Sequence, residues 1–218
     1  MTYWYSTFII REERRKLNRP IVIVDIGCER GLLKRFVPPH APSSVSSKDY
    51  WIGLDLRIDD AVSLANYDEF HKCDFDKTLP LEDSTVDVVA FINTLEHLPR
   101  PEFTMSEIKR ILRPGGVAIV IHPVYPKLIA IIRQKQYAAQ FAKGNRNYGE
   151  HTVAFWPERS RKLAQEIGFT VEFTASTYLL SWSEGPLENY KYWIRFNQLW
   201  GALFPSLGQE FCMKLRRS

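Results

Sequence analysis

The chain has 218 residues, of which 45% are hydrophobic, 13% aromatic and 25% charged, a composition that excludes a disordered, collagen-like or coiled-coil protein. The formal net charge of +4 is too small to indicate nucleic-acid binding by itself. From this length we expect one domain over residues 1–218.

The three cysteines, Cys28, Cys73 and Cys212, form no Cys-x-x-Cys pair. The sequence therefore predicts neither a disulfide framework nor a cysteine-rich zinc site, no metal ligand set is expected, and the protein is expected to be cytoplasmic. The apolar run 2–10 precedes its charges and lacks a small-residue cleavage site, so we expect no signal peptide. No run approaches the roughly 18 uncharged apolar residues of a membrane span.

Short runs rich in Val and Ile alternate with amphipathic segments, a pattern typical of βαβ units. In the first half of the chain the sequence predicts a strand at 21–25, a helix at 31–37, a strand at 50–56, helical material at 61–67, and strands at 70–75 and 86–92. In the second half it predicts a helix at 102–112, a strand at 117–121, helices at 127–141 and 157–167, a strand at 169–180, a helix at 187–204 and a final edge strand at 211–217. The helix 102–112 is expected to close at Pro114-Gly115-Gly116. The composition of residues 38–49 predicts an exposed loop. Residues 142–152 are predicted to form a lid over the ligand edge of the sheet.

The segment Asp25-Ile26-Gly27-Cys28-Glu29-Arg30-Gly31 follows the first strand and leads into a helix. We expect its free backbone N–H groups to bind a carboxylate or phosphate, with the two glycines allowing close approach of the ligand. The dinucleotide fingerprint is absent, because position 29 is Glu. Cys28 is interpreted as a small buried residue rather than a nucleophile.

Two further carboxylates end predicted strands at the edge where open α/β sheets bind ligands. Asp55 ends the second strand, where it could accept hydrogen bonds from both hydroxyls of a ribose. Asp74 ends the third strand and could accept from the amino group of an adenine that Phe75 flanks.

The segments VDIGCERG, GLDL, KCDF, LPLEDSTVDVVAFINTLEHL and EIKRILRPGGVAIVIHP resemble the class I S-adenosylmethionine-dependent methyltransferases of the type-11 branch, over about residues 21–123. The segment HTVAFWPERSRKLAQEIGFTVEF is also similar to that branch, with lower specificity. The resemblance implies an α/β, Rossmann-like, doubly wound sheet of seven strands in the order 3-2-1-4-5-7-6, with strand seven antiparallel and helices on both faces.

The resemblance also implies S-adenosyl-L-methionine as cofactor. It carries Asp25, Gly27 and Gly31 to the methionine end, Asp55 to the ribose, and Asp74 and Phe75 to the adenine. The full set of expected cofactor contacts is Asp25, Gly27, Cys28, Glu29, Gly31, Asp55, Leu56, Asp74, Phe75, Asn93 and Thr94. The family motif has glycine where this chain has Glu29, and we expect that side chain to turn outward or to face the cofactor ammonium.

Four residues are candidates for the acceptor side. Asn93 and Thr94 follow the fourth strand and either orient the acceptor or cap a helix. His151 is a candidate catalytic residue, and its alternative role is a hydrogen bond that ties the lid to the sheet. His97 is the second candidate base, although packing or cofactor support is favoured for it.

Two surfaces leave alternatives open. The residues Tyr190, Trp193, Phe196, Trp200 and Phe204 have helical spacing, which favours core packing over a substrate-stacking surface. The charged run 11–16 favours a solvated helix face; with the aromatic residues before it, the alternative is a segment that rests on a membrane surface or partner.

The sequence as a whole predicts methyl transfer to a small-molecule acceptor (a sugar, a lipid-linked compound or a secondary metabolite), with S-adenosylhomocysteine released. Residues 124–156 and 180–210 are the expected lid and acceptor-side elements. The alternatives are an RNA methyltransferase, disfavoured because no continuous basic and aromatic surface is evident, and a non-catalytic module with a degenerate glycine loop. The oligomeric state stays open.

Overall fold

A seven-stranded sheet in the order β3-β2-β1-β4-β5-β7-β6 organises the computed structural model, which describes residues 2–37, 48–57, 67–142, 150–177 and 190–218. The strands are β1 Val22–Ile26, β2 Tyr50–Asp55, β3 Glu69–Lys72, β4 Val86–Ile92, β5 Leu112–Pro123, β6 Phe169–Thr177 and β7 Glu210–Arg217. The helices of the described residues are α1 Thr2–Leu17, α2 Leu32–Phe36, α3 Pro101–Ile111, α4 Lys127–Ala142, α5 Pro157–Glu166 and α6 Lys191–Leu203, with a 3-10 turn at Leu95–His97.

The strand order and directions confirm the predicted sheet. The neighbouring pairs among β1 to β5 are parallel, whereas β7 pairs antiparallel with both β5 and β6. Strand order reverses between β1 and β4, and the carboxyl ends of the five parallel strands share one edge of the sheet. That edge is where ligands bind in folds of this kind.

Alternate residues of the central strands enter hydrophobic clusters on opposite faces of the sheet. Val24 of β1 belongs to a cluster with Met105 of α3, and Ile23 belongs to a second cluster with Ile9 of α1. Strands covered on both faces need apolar residues at nearly every position, which is why the IVIV and VVAFI runs are recognisable in the sequence. Helices therefore flank both faces, as predicted.

Two predicted strand boundaries need correction. Strand β5 begins at Leu112, so the Pro-Gly-Gly segment lies inside this strand and does not separate it from α3. Leu112 pairs with Val86 ahead of a register shift, and this irregular pairing absorbs the proline and glycines. Strand β3 ends at Lys72, which leaves Asp74 in the following loop.

Some predicted elements lie outside the described residues, which omit 38–47, 58–66, 143–149 and 178–189. These are most of the loop predicted at 38–49, the helical material at 61–66, the centre of the lid, the end of the strand predicted at 169–180 and the start of the helix predicted at 187–204.

Strand β7 is not an edge strand, contrary to the prediction for 211–217. It lies between β5 and β6, and β6 forms the edge. The alternating basic residues that suggested solvent exposure instead form ion pairs. Lys214 lies 2.7 Å from Glu13 of α1, and Arg216 lies 2.9 Å from the same carboxylate.

The charged run of α1 is not a simple solvated face either. Glu13 and Arg14 are only 4% and 7% exposed. Glu13 pairs with β7, and Arg14 pairs with Asp49 next to β2. The sequence interpretation is wrong here because these partners are supplied by segments distant in the chain.

The same ion-pair network predicts acid sensitivity. Arg216 holds the pKa of Glu172 well below its usual range, at about 2. A carboxylate with a lowered pKa stabilises the fold above its unfolded pKa near 4.3, and this stabilisation is lost as the pH falls toward 2. The free energy of unfolding of wild type, measured with urea, is therefore expected to fall between pH 7 and pH 3, and Glu172→Gln should lose less stability over that interval. Glu166→Gln, at an exposed pair with Lys162, is the control and should behave as wild type.

The aromatic residues of α6 are not core residues, which corrects the packing prediction. Tyr190, Phe196 and Phe204 are 54%, 44% and 44% exposed. The packed face of the helix instead carries Asn197 and Gly201. A Cβ atom on Gly201 would lie 1.7 Å from the Ser176 carbonyl oxygen, so the helix backbone lies directly against the end of β6.

Candidate functional site

The turn after β1 has left-handed backbone at three positions. Gly27 and Gly31 have φ of 74° and 66°, and Glu29 between them has φ of 40°. A Cβ atom on Gly27 would lie 2.3 Å from Thr94 Oγ1, so glycine is needed there both for the backbone angle and for the space. Glu29 adopts the left-handed conformation without being glycine, at a cost of about 1 kcal/mol. Its side chain is exposed, consistent with the outward orientation expected from the sequence.

Four backbone N–H groups of this turn already donate within the protein, so they are not the free donors that the sequence predicts. Those of Gly27 and Cys28 donate to the Leu54 carbonyl at 2.8 and 3.3 Å, and that of Gly31 donates to the Cys28 carbonyl at 2.7 Å. The Glu29 N–H donates to Asp55 Oδ2 at 2.8 Å. These bonds join the turn to the carboxyl end of β2.

Asp55 thereby lies beside the glycine turn. Its Oδ1 accepts from the Arg57 N–H at 3.0 Å, and its Oδ2 accepts from the turn. Each carboxylate oxygen has a second lone pair, which leaves capacity for a ligand hydroxyl. Leu56 follows at a half-buried position.

Asp25 lies at the carboxyl end of β1 and is 4% exposed. It accepts a hydrogen bond from the Tyr67 hydroxyl at 2.6 Å. Burial raises the pKa of Asp25 to about 7, with a smaller contribution from the charge of Asp55. No pattern in the sequence indicates Tyr67 as a site residue, because it lies 42 positions away.

Tyr3 of α1 lies near the charged residues of this edge, and the sequence did not indicate it as a candidate. Its ring stacks on Phe36 with centroids 5.1 Å apart. Burial raises the pKa of Tyr3, as do the negative charges of Asp25, Glu29 and Glu210. The edge of the sheet is thus rich in carboxylates, an environment suited to a cationic ligand.

Asp74 and Phe75 have different surroundings. The Asp74 side chain is 44% exposed, and its Oδ1 accepts from the Asp76 N–H at 3.0 Å. Phe75 is 6% exposed and belongs to the core cluster, with its carbonyl accepting from Thr104. Its side chain therefore belongs to the core, and an adenine contact by either residue stays a prediction.

Asn93 and Thr94 follow β4 next to the glycine turn. Asn93 has φ of 48°, and its Nδ2 donates to Glu210 at 3.1 Å. The Thr94 hydroxyl donates to the Ile92 carbonyl at 3.0 Å and makes no capping hydrogen bond to the 3-10 turn. Thr94 thus occupies the N-cap position of this turn without a side-chain cap, and acceptor orientation stays a prediction.

His97 and His151 lie together on the next part of this edge. Their ring centroids are 4.8 Å apart, in an edge-to-face arrangement. Segment 150–153 is tied to the 3-10 turn by backbone bonds from Thr152 and Val153 to the Glu96 carbonyl, at 2.8 and 3.1 Å. The backbone therefore joins this segment to the turn, and a catalytic role for His151 stays a prediction.

Glu96, which the sequence interpretation passed over, completes this cluster. It is 2% exposed, and burial raises its pKa to about 8. Burial lowers the pKa of His151, with contributions from His97 and Arg133, so the imidazole is mainly neutral at pH 7. A glutamate placed beside a histidine directly after a buried strand was the available signal.

Cys28 and His122 have structural roles. Cys28 is 5% exposed and burial raises the pKa of its thiol, which confirms the interpretation as a small buried residue. His122 is fully buried against Phe155, and burial lowers its pKa to about 4. Neither is placed to take part in chemistry at the sheet edge.

Comparison with known proteins agrees with this architecture. Residues 24–120 match the family model described as "Methyltransferase domain". The ubiquinone biosynthesis O-methyltransferase of Cupriavidus pinatubonensis is 27% identical over 165 residues, covering 72% of this chain and 63% of that protein. The sterol 4-C-methyltransferase strm-1 of Caenorhabditis elegans is 48% identical over 116 residues, covering 50% and 33%. The chain thus spans less than two thirds of the length of these relatives.

Among solved structures, the 1,6-didemethyltoxoflavin-N1-methyltransferase of Burkholderia thailandensis, with its substrate and S-adenosylhomocysteine bound, superposes with a TM-score of 0.59 at 13% identity. It covers 100% of this chain and 78% of that one. The strand order and these matches show a resemblance to class I methyltransferase domains, whose cofactor is S-adenosylmethionine. Residues 24–120 are the part of the chain that resembles the type-11 branch. None of the helices in the described residues is long and apolar enough to cross a membrane.

Proposed function

We propose that this chain transfers the methyl group of S-adenosylmethionine to a small-molecule acceptor and releases S-adenosylhomocysteine. One observation carries the proposal: the carboxylates of Asp25 and Asp55 flank the Gly27 turn, and the His97–His151 pair follows on the same sheet edge. Cofactor groups that donate hydrogen bonds would thus lie on one side of the edge, and proton-accepting side chains on the other.

The acidic side chains fit the polar groups of the cofactor. Asp55 would accept from the ribose hydroxyls and Asp74 from the adenine amino group. Asp25 and the acidic surroundings of Tyr3 favour the cationic methionine end. When bound, the cofactor supplies an electrophilic methyl group on a positively charged sulfur. The main task of the protein is then to hold donor and acceptor in line.

The acceptor side has groups to orient and deprotonate a nucleophile. We assign acceptor orientation to Asn93 and Thr94, and proton acceptance to a ring nitrogen of His151, with His97 beside it. The lowered pKa of His151 keeps the ring neutral, the form that can accept a proton. Because His97 packs against His151, we assign it mainly to positioning.

The acceptor is proposed to be a small molecule with lipid-like or ring character. The names of two relatives, in ubiquinone biosynthesis and sterol methylation, support this class. The nearby carboxylate of Glu210 disfavours the RNA alternative, because it would repel a phosphate backbone. Trp4 and Phe8 are 48% and 57% exposed, so association of the N-terminal helix with a membrane surface stays a prediction, as does the cytoplasmic location.

Calorimetric titration of S-adenosylhomocysteine tests the cofactor half of this proposal. Wild type should bind it, and Glu29→Gly should bind at least as tightly, with a free energy of unfolding up to about 1 kcal/mol higher because the left-handed backbone is relieved. Asn18→Gly, which has a similar φ of 48° far from the site, is the control and should leave affinity unchanged. Absence of binding to wild type at millimolar ligand would favour the degenerate-module alternative and end the enzyme proposal.

A further inference from the structure

Three potential metal ligands converge where the 3-10 turn meets segment 150–153. They are Glu96, His97 and His151, and one ligand atom from each lies within 4.8 Å of the others. Glu96 and His97 are adjacent in sequence, whereas His151 arrives from beyond α4. The cluster therefore exists only in the folded chain.

The Glu96 carboxylate is incompletely satisfied. The residue is 2% exposed, and its Oε2 has no hydrogen-bond partner in the part of the chain that the structure describes. A buried carboxylate oxygen without a donor is costly, and such groups are normally paired or coordinate a metal. This orphaned oxygen belongs to the same side chain that faces the two imidazoles.

His97 is oriented as metal-binding histidines are. Its Nδ1 lies 3.2 Å from the Glu150 carbonyl oxygen. A carbonyl only accepts, so Nδ1 carries the hydrogen, and in the neutral ring Nε2 presents a lone pair. Histidines that bind a metal through one ring nitrogen commonly donate the N–H of the other to a backbone carbonyl in this way.

The free nitrogen of His97 faces the carboxylate. Nε2 lies 3.7 Å from Glu96 Oε1, which is longer than a hydrogen bond. When the ring is neutral and Glu96 is ionised, these two atoms are both acceptors, and a cation between them would satisfy both. Ligand atoms bonded to one metal ion at about 2.1 Å are about 3 to 3.4 Å apart, so small side-chain movements would close the cluster.

We propose that Glu96, His97 and His151 form a binding site for a divalent first-row transition metal ion such as Zn²⁺. Two imidazole nitrogens and one carboxylate oxygen are a donor set that favours such ions over Mg²⁺ and Ca²⁺. Three protein ligands leave coordination positions open for an exogenous oxygen.

The site also defines an acceptor class, an inference that rests on the proposed function. An acceptor hydroxyl bound at an open position would have its pKa lowered and release its proton to solvent, so with metal bound His151 is a ligand and no longer the proton acceptor. The oxygen lone pair would then form the new bond to the methyl carbon, while the carbon–sulfur bond breaks and its electrons stay on sulfur. Alcohol and sulfonium thus become methyl ether, thioether and one proton, and the acceptor is a hydroxyl compound.

The test titrates Zn²⁺ into tag-free, chelator-treated full chain, without cofactor or acceptor. We expect one equivalent to bind, Co²⁺ to give ligand-field absorption, and Glu96→Gln and His151→Gln each to weaken Zn²⁺ binding at least about tenfold. His71→Gln removes the imidazole of another His–Glu contact, 2.5 Å from Glu69, and should leave binding unchanged. Thermal melting verifies that each variant is folded.

The outcomes are decisive in both directions. If wild type binds no Zn²⁺ at micromolar concentrations, or folded Glu96 and His151 variants bind it as wild type does, the site is refuted. The Co²⁺ spectrum of wild type needs no variant and reports directly on coordination. S-adenosylhomocysteine titration in chelator separates the two proposals: cofactor binding without metal binding overturns only the metal site, and the reverse overturns only the proposed function.

Discussion

Gly27→Ala is expected to abolish S-adenosylhomocysteine binding and to lower the free energy of unfolding by about 3 kcal/mol. Two costs combine at this position. A side chain at φ of 74° is strained, and its Cβ atom would lie 2.3 Å from Thr94 Oγ1 and 3.2 Å from Thr94 Cγ2. Relief of this overlap requires Thr94 or the glycine turn to move. Calorimetric titration and urea unfolding measure the two effects.

Matched variants separate strain from overlap. Gly115 has φ of 77°, and a Cβ atom there would meet nothing within 4 Å, so Gly115→Ala should cost only the backbone strain, about 1 kcal/mol, and leave ligand affinity intact. Adding Thr94→Ala to Gly27→Ala removes the two closest atoms and should restore part of the stability, as a double-mutant cycle will show. Equal losses at the two glycines, or no rescue, would contradict the contact between the turn and the β4 loop.

Gly201→Ala is expected to have the second large effect. The sign of the change in the free energy of unfolding shows whether α6 packs against β6. In an exposed helix, replacing glycine with alanine stabilises by about 1 kcal/mol. Here the added methyl group would lie 1.7 Å from the Ser176 carbonyl oxygen and 2.8 Å from its carbon. We therefore expect a net loss of about 1 to 3 kcal/mol and separation of α6 from β6.

Urea unfolding measures this loss, and hydrogen exchange over residues 191–203 reports whether the helix has left the sheet. Ala202→Gly, at the exposed neighbouring position, is the control and should cost about 1 kcal/mol from helix propensity alone. A Gly201→Ala protein more stable than wild type would show that the helix does not pack on β6 as described.

The central strands were predictable because burial on both faces imposes continuous apolar runs; β4 was predicted with its observed limits, 86–92. Strand order came from the family resemblance, since periodicity says nothing about which strands are neighbours. The interior position of β7 was obscured by Lys214 and Arg216, whose carboxylate partners lie on α1 and β6. Likewise, the aromatic residues of α6 suggested a buried face, whereas close backbone contact selected glycine for that face.

The residues of the candidate site also fall into those that the sequence predicted and those that it did not. Asp25, Asp55 and the glycines were predicted because they immediately follow recognisable strands. Tyr3 and Tyr67 were missed because their roles depend on how distant segments dock against the sheet edge. The cluster of Glu96 with His151 depends on a chain reversal across more than 50 positions, which neither spacing nor composition records.

Two buried cysteines allow local unfolding of the protein to be followed by thiol labelling. Cys28 lies in the glycine turn, and Cys212 lies in the interior strand β7. Both thiols are shielded, and burial raises the pKa of each, so an alkylating reagent meets almost no thiolate in the closed protein. The order in which the two become labelled would show whether the molecule loosens first at its ligand edge or within its sheet.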